Sequence, residues 1–208
     1  ISSIYDPLGF IAPLMLPMKR ILQDMCRVTS LTWDDPLPSD IQADCEKWMN
    51  AIECMDAVHV PRCLKPLKCI SPQFQIQMHT FCDASAYGYG AVIYLRFYDG
   101  SSCHVSFLIG KSRVAPIKES KTTIPRLELT AATVGVNIAV MMTKELRLPI
   151  QEIFFHTDST IVLHYIHNEC KRFPVFVANR VQRIRQCSQP SQWRYVGSAS
   201  RRRIKRQV

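Results

Sequence analysis

From Phe74 onward the sequence changes period. Ile76, Met78, Thr80 and Cys82 alternate with Gln75, Gln77, His79 and Phe81, and an apolar repeat of two belongs to a strand with one buried face. That strand ends at Asp83. Residues 91–98 repeat the pattern, Asp99-Gly100 is a hairpin signal, and residues 102–109 supply a third strand, so three antiparallel strands form a meander with Gly88 and Gly90 in its first turn. The period then becomes helical. Pro125 suits a first turn, and Leu127, Ala131, Val134, Ile138 and Met142 make one stripe, predicting a helix over about 124–146. Ile153 to Thr157 is a short apolar run suited to a buried strand that ends at Asp158. Helices over Ile161 to Ile166 and Pro174 to Ile184, then a short strand at 192–196, complete the order. A β-β-β-α-β-α-α-β order specifies an α/β fold, a mixed five-stranded sheet with flanking helices.

The first 70 residues have another character. Prolines at 7, 13, 17, 36, 38, 61 and 66 leave room for short helices at 18–28 and from Ser39, with Ser39 and Asp40 as caps, so a small helical module is expected there. The expected division is 1–70, 71–196 and a basic tail, 197–208, without apolar periodicity. No uninterrupted apolar stretch reaches the length of a membrane span, and no signal peptide opens the chain. Nine cysteines without a C-x-x-C pair fit reduced thiols better than a disulfide framework or a zinc ribbon. A chain that is not secreted, has no membrane partner, resides in cytoplasm or nucleus and forms part of something longer is the expectation. The formal charge of +9 is unevenly spread: residues 1–170 hold 15 Lys and Arg against 17 acids, and residues 171–208 hold 11 Lys and Arg and no acid. The body is neutral and the tail basic, which argues against a uniformly basic architectural protein.

Three acids stand where they could meet: Asp83 and Asp158 at strand ends, and Glu128 one turn into the long helix. Gathered carboxylates repel one another and persist when cations neutralise them. Hard oxygen donors select Mg²⁺ or Mn²⁺, and two such ions suit phosphodiester hydrolysis. Each acid also has a plainer reading: Asp158 as a helix cap, Asp83 as a turn former, Glu128 as a solvated first-turn acid.

The strings Phe81-Cys82-Asp83-Ala84-Ser85, Lys111-Ser112-Arg113-Val114-Ala115-Pro116, Ile124-Pro125-Arg126-Leu127-Glu128-Leu129 and His156-Thr157-Asp158-Ser159 resemble the ribonuclease H-like region of BEL/Pao-type LTR retrotransposon polyproteins. Ile4-Tyr5-Asp6-Pro7-Leu8-Gly9 and Leu31-Thr32-Trp33-Asp34-Asp35-Pro36-Leu37-Pro38 resemble the connection segment that follows the polymerase palm in the same polyproteins. The resemblance covers about residues 1–196. It implies a ribonuclease H-like fold with Asp83, Glu128 and Asp158 as catalytic metal ligands, and cleavage of the RNA strand of an RNA–DNA hybrid. The implied partners are such a hybrid and the rest of the retroelement polyprotein. Nucleic-acid contacts are expected at Lys111, Arg113, Arg126, Arg180 and Arg183.

The departures are as informative. In that family the stretch resembling Gln192 to Val196 is followed by an Asn-Pro-Ala-Asp element carrying a fourth carboxylate, whereas here Gly197-Ser198-Ala199-Ser200-Arg201 follows and no acid occurs after Glu169. The expectation is an incomplete two-metal site: either a degenerate ribonuclease, or a noncatalytic nucleic-acid-binding remnant. The palm is absent, and no Asp-Thr-Gly or Asp-Ser-Gly triplet supports proteolysis. His79, His156, His164 and His167 lack metal-ligand spacing and read as satisfied or exposed side chains. No phosphate-binding glycine loop is present. Arg180, Arg183 and Arg185 on one helix could hold a phosphate backbone or form a solvated face. The cluster Arg201 to Arg206 reads as a nuclear-localisation or nonspecific nucleic-acid segment, or as sequence following a frameshift.

Overall fold

The computed structural model describes residues 4–27, 32, 34–57, 59–65, 74–117 and 123–197, so the basic tail from Ser198 lies outside the described residues. Five strands, β1 (Gln75–Ala84), β2 (Gly88–Tyr98), β3 (Cys103–Val114), β4 (Ile150–Thr157) and β5 (Trp193–Tyr195), form one sheet in the order β3-β2-β1-β4-β5. The first three run antiparallel, and β4 and β5 add parallel to β1. The mixed five-stranded α/β sheet expected from the pattern is present. Ile76, Met78, Thr80 and Cys82 are all buried, as the alternation requires.

That face is covered by α3 (Ile124–Glu145), with α4 (Thr160–His167) and α5 (Val175–Cys187) packed against α3 and each other. Met78, Ile93, Leu95, Phe97, Leu129, Val136, Phe155, Val162, Ile166 and Ile184 form its core. Helix α3 is the one described helix long and apolar enough to cross a membrane, and here eight of its residues are buried against the sheet and its flanking helices. Gly135 sets how closely it approaches, because a Cβ there would overlap Cys82 Sγ. Trp193 stacks on Phe155 with centroids 4.9 Å apart, and its Nε1 donates to Ser188 Oγ at 3.0 Å, which anchors the three-residue β5.

Several boundaries differ from expectation. Gly88 and Gly90 lie inside β2 rather than in a turn; a Cβ on Gly90 would meet Lys111 O at 2.6 Å, so glycine admits close strand approach there. β3 continues past Ile109 through Lys111, Ser112 and Arg113, because its polar end still pairs with β2. The bulge between Ile93 and Tyr94 keeps both halves in register with the core.

The first helix, α1 (Ala12–Met25), begins earlier than predicted and runs through Pro17; Pro13 sits in its first turn, where a missing N–H is harmless. In α2 (Ser39–Glu53), Ser39 and Asp40 are helical residues rather than caps; Pro38 precedes them and its carbonyl accepts from Gln42 N at 2.9 Å. A single turn of 3₁₀ helix, Cys54–Ala57, follows. This segment reaches the sheet through polar and backbone contacts and one aromatic pair. The Asp6 carboxylate accepts from the N–H groups of Gly9, Phe10 and Ile11 at 2.9–3.0 Å, shaping a turn in which Gly9 has φ +76°. Gly110 N donates to Leu8 O at 2.8 Å, and a Cβ on Gly9 would overlap the Gly110 carbonyl. Phe10 packs on Phe107 (4.5 Å), Gln23 Nε2 donates to Ala115 O (2.7 Å), and Trp48 Nε1 donates to Leu14 O (2.8 Å).

Candidate functional site

The parallel pairing of β1 and β4 sets Phe81 opposite His156. Asp83 and Asp158 each follow two residues later, so both stand at the same end of strands that lie about 4.8 Å apart, and both line one cavity of about 600 Å³. Asp83 is exposed and pairs through its backbone with Gly90; Asp158 is half-buried. Helix α3 brings Glu128 to the same edge, where Glu128 Oε2 accepts from Ser159 Oγ at 2.6 Å. The pattern of strand ends and helix stripes does not single out Ser159. Its Oγ accepts from Val162 N at 3.2 Å, so Ser159, not Asp158, caps α4, and its buried hydroxyl joins that cap to Glu128. The signal available was the preference for serine at a helix start directly after a strand.

The donors at this edge are carboxylate oxygens, which suit a hard divalent cation, and Mg²⁺ is commonly held by one or two carboxylates with water and phosphate completing its shell. Asp83 and Asp158 fit that role for one ion. Among the described residues no three His, Cys, Asp or Glu side chains gather into a metal-holding group.

The histidines lie far apart in the chain, but strand register joins two of them: His79 Nδ1 and His156 Nε2 are 3.1 Å apart. Gln77 Oε1 accepts from Arg96 Nη1 at 2.6 Å and lies 3.4 Å from His79 Nε2, which makes Nε2 the protonated nitrogen of a neutral His79. Its Nδ1 then accepts from His156 Nε2–H, leaving the buried, unpartnered His156 Nδ1 as a bare lone pair rather than a stranded donor. Burial, then the neighbouring His79 and Arg194, push His156 down to about 4, and burial with Arg96 also lowers His79. Both rings are neutral at neutral pH. Burial, reinforced by Asp83, lifts the Cys82 thiol to about 12, so it is an inert core group.

The expected nucleic-acid contacts fall into two sets. Lys111 and Arg113 are exposed on β3, opposite Ala91 and Tyr89, and Lys111 lines the same cavity as Asp83. Arg126 and Arg180 share the Phe176 ring, at 5.2 and 3.5 Å from its centroid, and Arg180 Nε donates to Thr130 Oγ1 at 3.1 Å. Arg183 Nε donates to Asn137 Oδ1 at 2.8 Å. Arg185 does not belong with them: its guanidinium donates to Ile166 O and Asn168 O at 2.7–3.1 Å and closes the C-terminal end of α4.

A mixed five-stranded sheet with this strand order and one helix-covered face, bearing acids on its strand ends and covering helix, defines a ribonuclease H-like α/β domain. The chain belongs to the family of Pao retrotransposon-like RNaseH-like domains, which matches residues 1–159. α4, α5 and β5 lie beyond that match and complete the sheet and its cover. No curated protein matches the chain in sequence. Similar solved structures include RNase H1 from the halophilic archaeon Halobacterium salinarum NRC-1 (13% identity, TM-score 0.39, 61% of this chain and 90% of that one). LC11-RNase H1 in complex with an RNA/DNA hybrid is similar too (14%, TM-score 0.40, 62% and 90%). So is the foamy viral protease-reverse transcriptase dRH in complex with double-stranded DNA (13%, TM-score 0.48, 95% and 33%).

Proposed function

We propose that this chain engages RNA–DNA hybrids as part of a retroelement polyprotein and cleaves the RNA strand slowly, with Asp83 and Asp158 holding one Mg²⁺ or Mn²⁺ ion. One observation carries the reading: the two aspartates end neighbouring parallel strands and line one cavity, with Glu128 tied beside them through Ser159. A hard cation there supplies neutralisation of the phosphodiester and a more acidic water. The chain's own groups do the rest. Ser159 fixes the position of Glu128, the neutral His79–His156 pair adds no positive charge to compete for the acids, and Arg126 and Arg180 hold phosphates of the bound strand.

A second reading, hybrid binding without cleavage, is favoured by the residues after Val196, where Gly197-Ser198-Ala199-Ser200 stands in place of the acid-bearing element that the resemblance implies. Cleavage of a labelled hybrid across a Mg²⁺ and Mn²⁺ titration separates the two. The expected result is slow cleavage that needs elevated metal and is abolished by Asp83→Asn or Asp158→Asn, with hybrid affinity retained. Brisk cleavage at ordinary Mg²⁺ that survives Asp83→Asn overturns the site, and binding with no cleavage at any metal concentration gives the second reading.

A further inference from the structure

Four residues past Asp83, the turn between β1 and β2 presents Tyr87, a residue 58% exposed. The turn is braced rather than loose: Ser85 N donates to Gly88 O at 2.8 Å, Tyr87 N donates to Ser85 Oγ at 3.2 Å, and Ala115 N donates to Tyr87 O at 2.9 Å. Gln23 of α1 in turn donates to the Ala115 carbonyl, so α1 and the turn are fixed to the same residue. Over the Tyr87 ring, 3.8 Å from its centroid, lies the Arg20 guanidinium. Arg27, seven residues on and just past the end of α1, lines the same pocket of about 290 Å³ with Arg20, Tyr87 and Asp24. Asp24 is the opposing charge: it pairs with Arg27 at 3.0 Å and with Arg20 at 3.8 Å. One carboxylate faces two guanidinium groups, so an excess positive charge remains beside an exposed aromatic surface. Ile124 and Leu127, at the start of α3 beside Arg126 and Glu128, form another wall.

Excess cationic charge next to a partly free aromatic ring is the pairing that holds unpaired nucleic acid, the base stacking and the phosphates lying against the cations. We propose that Arg20, Arg27 and Tyr87 clamp a strand that runs off the hybrid end, with an unpaired base stacked on Tyr87 and its flanking phosphates on the two arginines. This rests on the hybrid-binding reading above and gives it a polarity: the single-stranded end leaves the carboxylate edge over the β1–β2 turn. It also assigns α1 a part in recognition, since neither α1 nor the sheet alone makes the clamp.

The test is fluorescence anisotropy of the full chain with a blunt RNA–DNA hybrid and with the same hybrid carrying a single-stranded overhang, using Ca²⁺ in place of Mg²⁺. The overhang should tighten binding, and Tyr87→Ala should remove that gain, a loss of about 5- to 150-fold, while Tyr87→Trp keeps it. Arg20→Gln should make the slope of log K against log salt shallower by about 0.7. Circular dichroism checks that each variant is folded. Overhang preference unchanged in Tyr87→Ala overturns the clamp and leaves hybrid binding standing, whereas failure of the wild type to bind either hybrid overturns both.

Discussion

Helices α1 and α2 and the sheet are held by different physics. The sheet with α3, α4 and α5 encloses a continuous core in which Phe97, Phe155, Met78 and Ile93 are almost wholly buried. In α1 and α2 the one buried residue is Met15, and α2 has none. What seats these helices is a small set of contacts: the Asp6 turn, the Gly9–Gly110 backbone approach, Phe10 on Phe107, the Gln23 hydrogen bond to Ala115, and the Trp48 hydrogen bond that ties α2 to α1. Burial is non-directional and strong in sum, whereas the directed contacts each contribute little and demand particular residues. A region of the second kind keeps its place through sequence motifs rather than through bulk, which is why Asp6, Leu8 and Gly9 sit within a recognisable string.

The contrast is sharpest in truncations of two large apolar side chains. Phe155→Ala truncates a residue that is 2% exposed, and Met49→Ala one that is 54% exposed. The first should cost roughly 3–5 kcal/mol in denaturant unfolding and the second less than about 0.5 kcal/mol; comparable losses would show that α2 belongs to the core after all. Acid should act next, and on the sheet. His156 has a folded-state value lowered to about 4 against an ordinary 6.5, so the unfolded chain binds more protons between those limits. Its contribution is complete above pH 6.5 and is lost as pH falls towards 4, roughly 3 kcal/mol in all. The wild type should lose thermal stability over that window, and a His156→Phe variant should lose less; parallel curves would remove His156 from the account. Smallest for global stability is Gly9→Ala, which forces an unfavourable φ and a collision with Gly110. An expected cost of about 1–3 kcal/mol should be confined to detachment of the N-terminal segment. Hydrogen exchange should quicken at the Gly110 amide and through α1 while β1 and α3 keep their protection; loss of protection throughout would mean that both regions unfold as one.

Much of the sheet was legible because its signals are local. Alternation through Ile76 to Cys82 needed only the chain itself, and so did the stripe of α3 and the acids that end β1 and β4. What stayed hidden depends on partners distant in sequence. Lys111-Ser112-Arg113 looks like a loop, and pairing with β2 makes it strand. The glycines of β2 look like a turn, and the Lys111 carbonyl explains one of them. His79 and His156 are apart in the chain and meet through the β1–β4 register. Arg185 resembles Arg180 and Arg183 in composition, yet it serves the end of α4. At the carboxylate edge the acids could be named from position and resemblance, while the role of Ser159 required knowing that α4 starts beside α3.

The hydrogen bond from Gly110 to Leu8 has a consequence for how the molecule assembles. Leu8 leaves the ribosome long before β3 exists, and at usual synthesis rates the roughly 100 residues between them take about 5–20 s to emerge. During that interval Phe10 lacks Phe107 and the Asp6 turn has no strand to rest on. α1 and α2 therefore wait as a loosely held pair, and their seating on the sheet is a late event whose timing is set by translation rather than by diffusion.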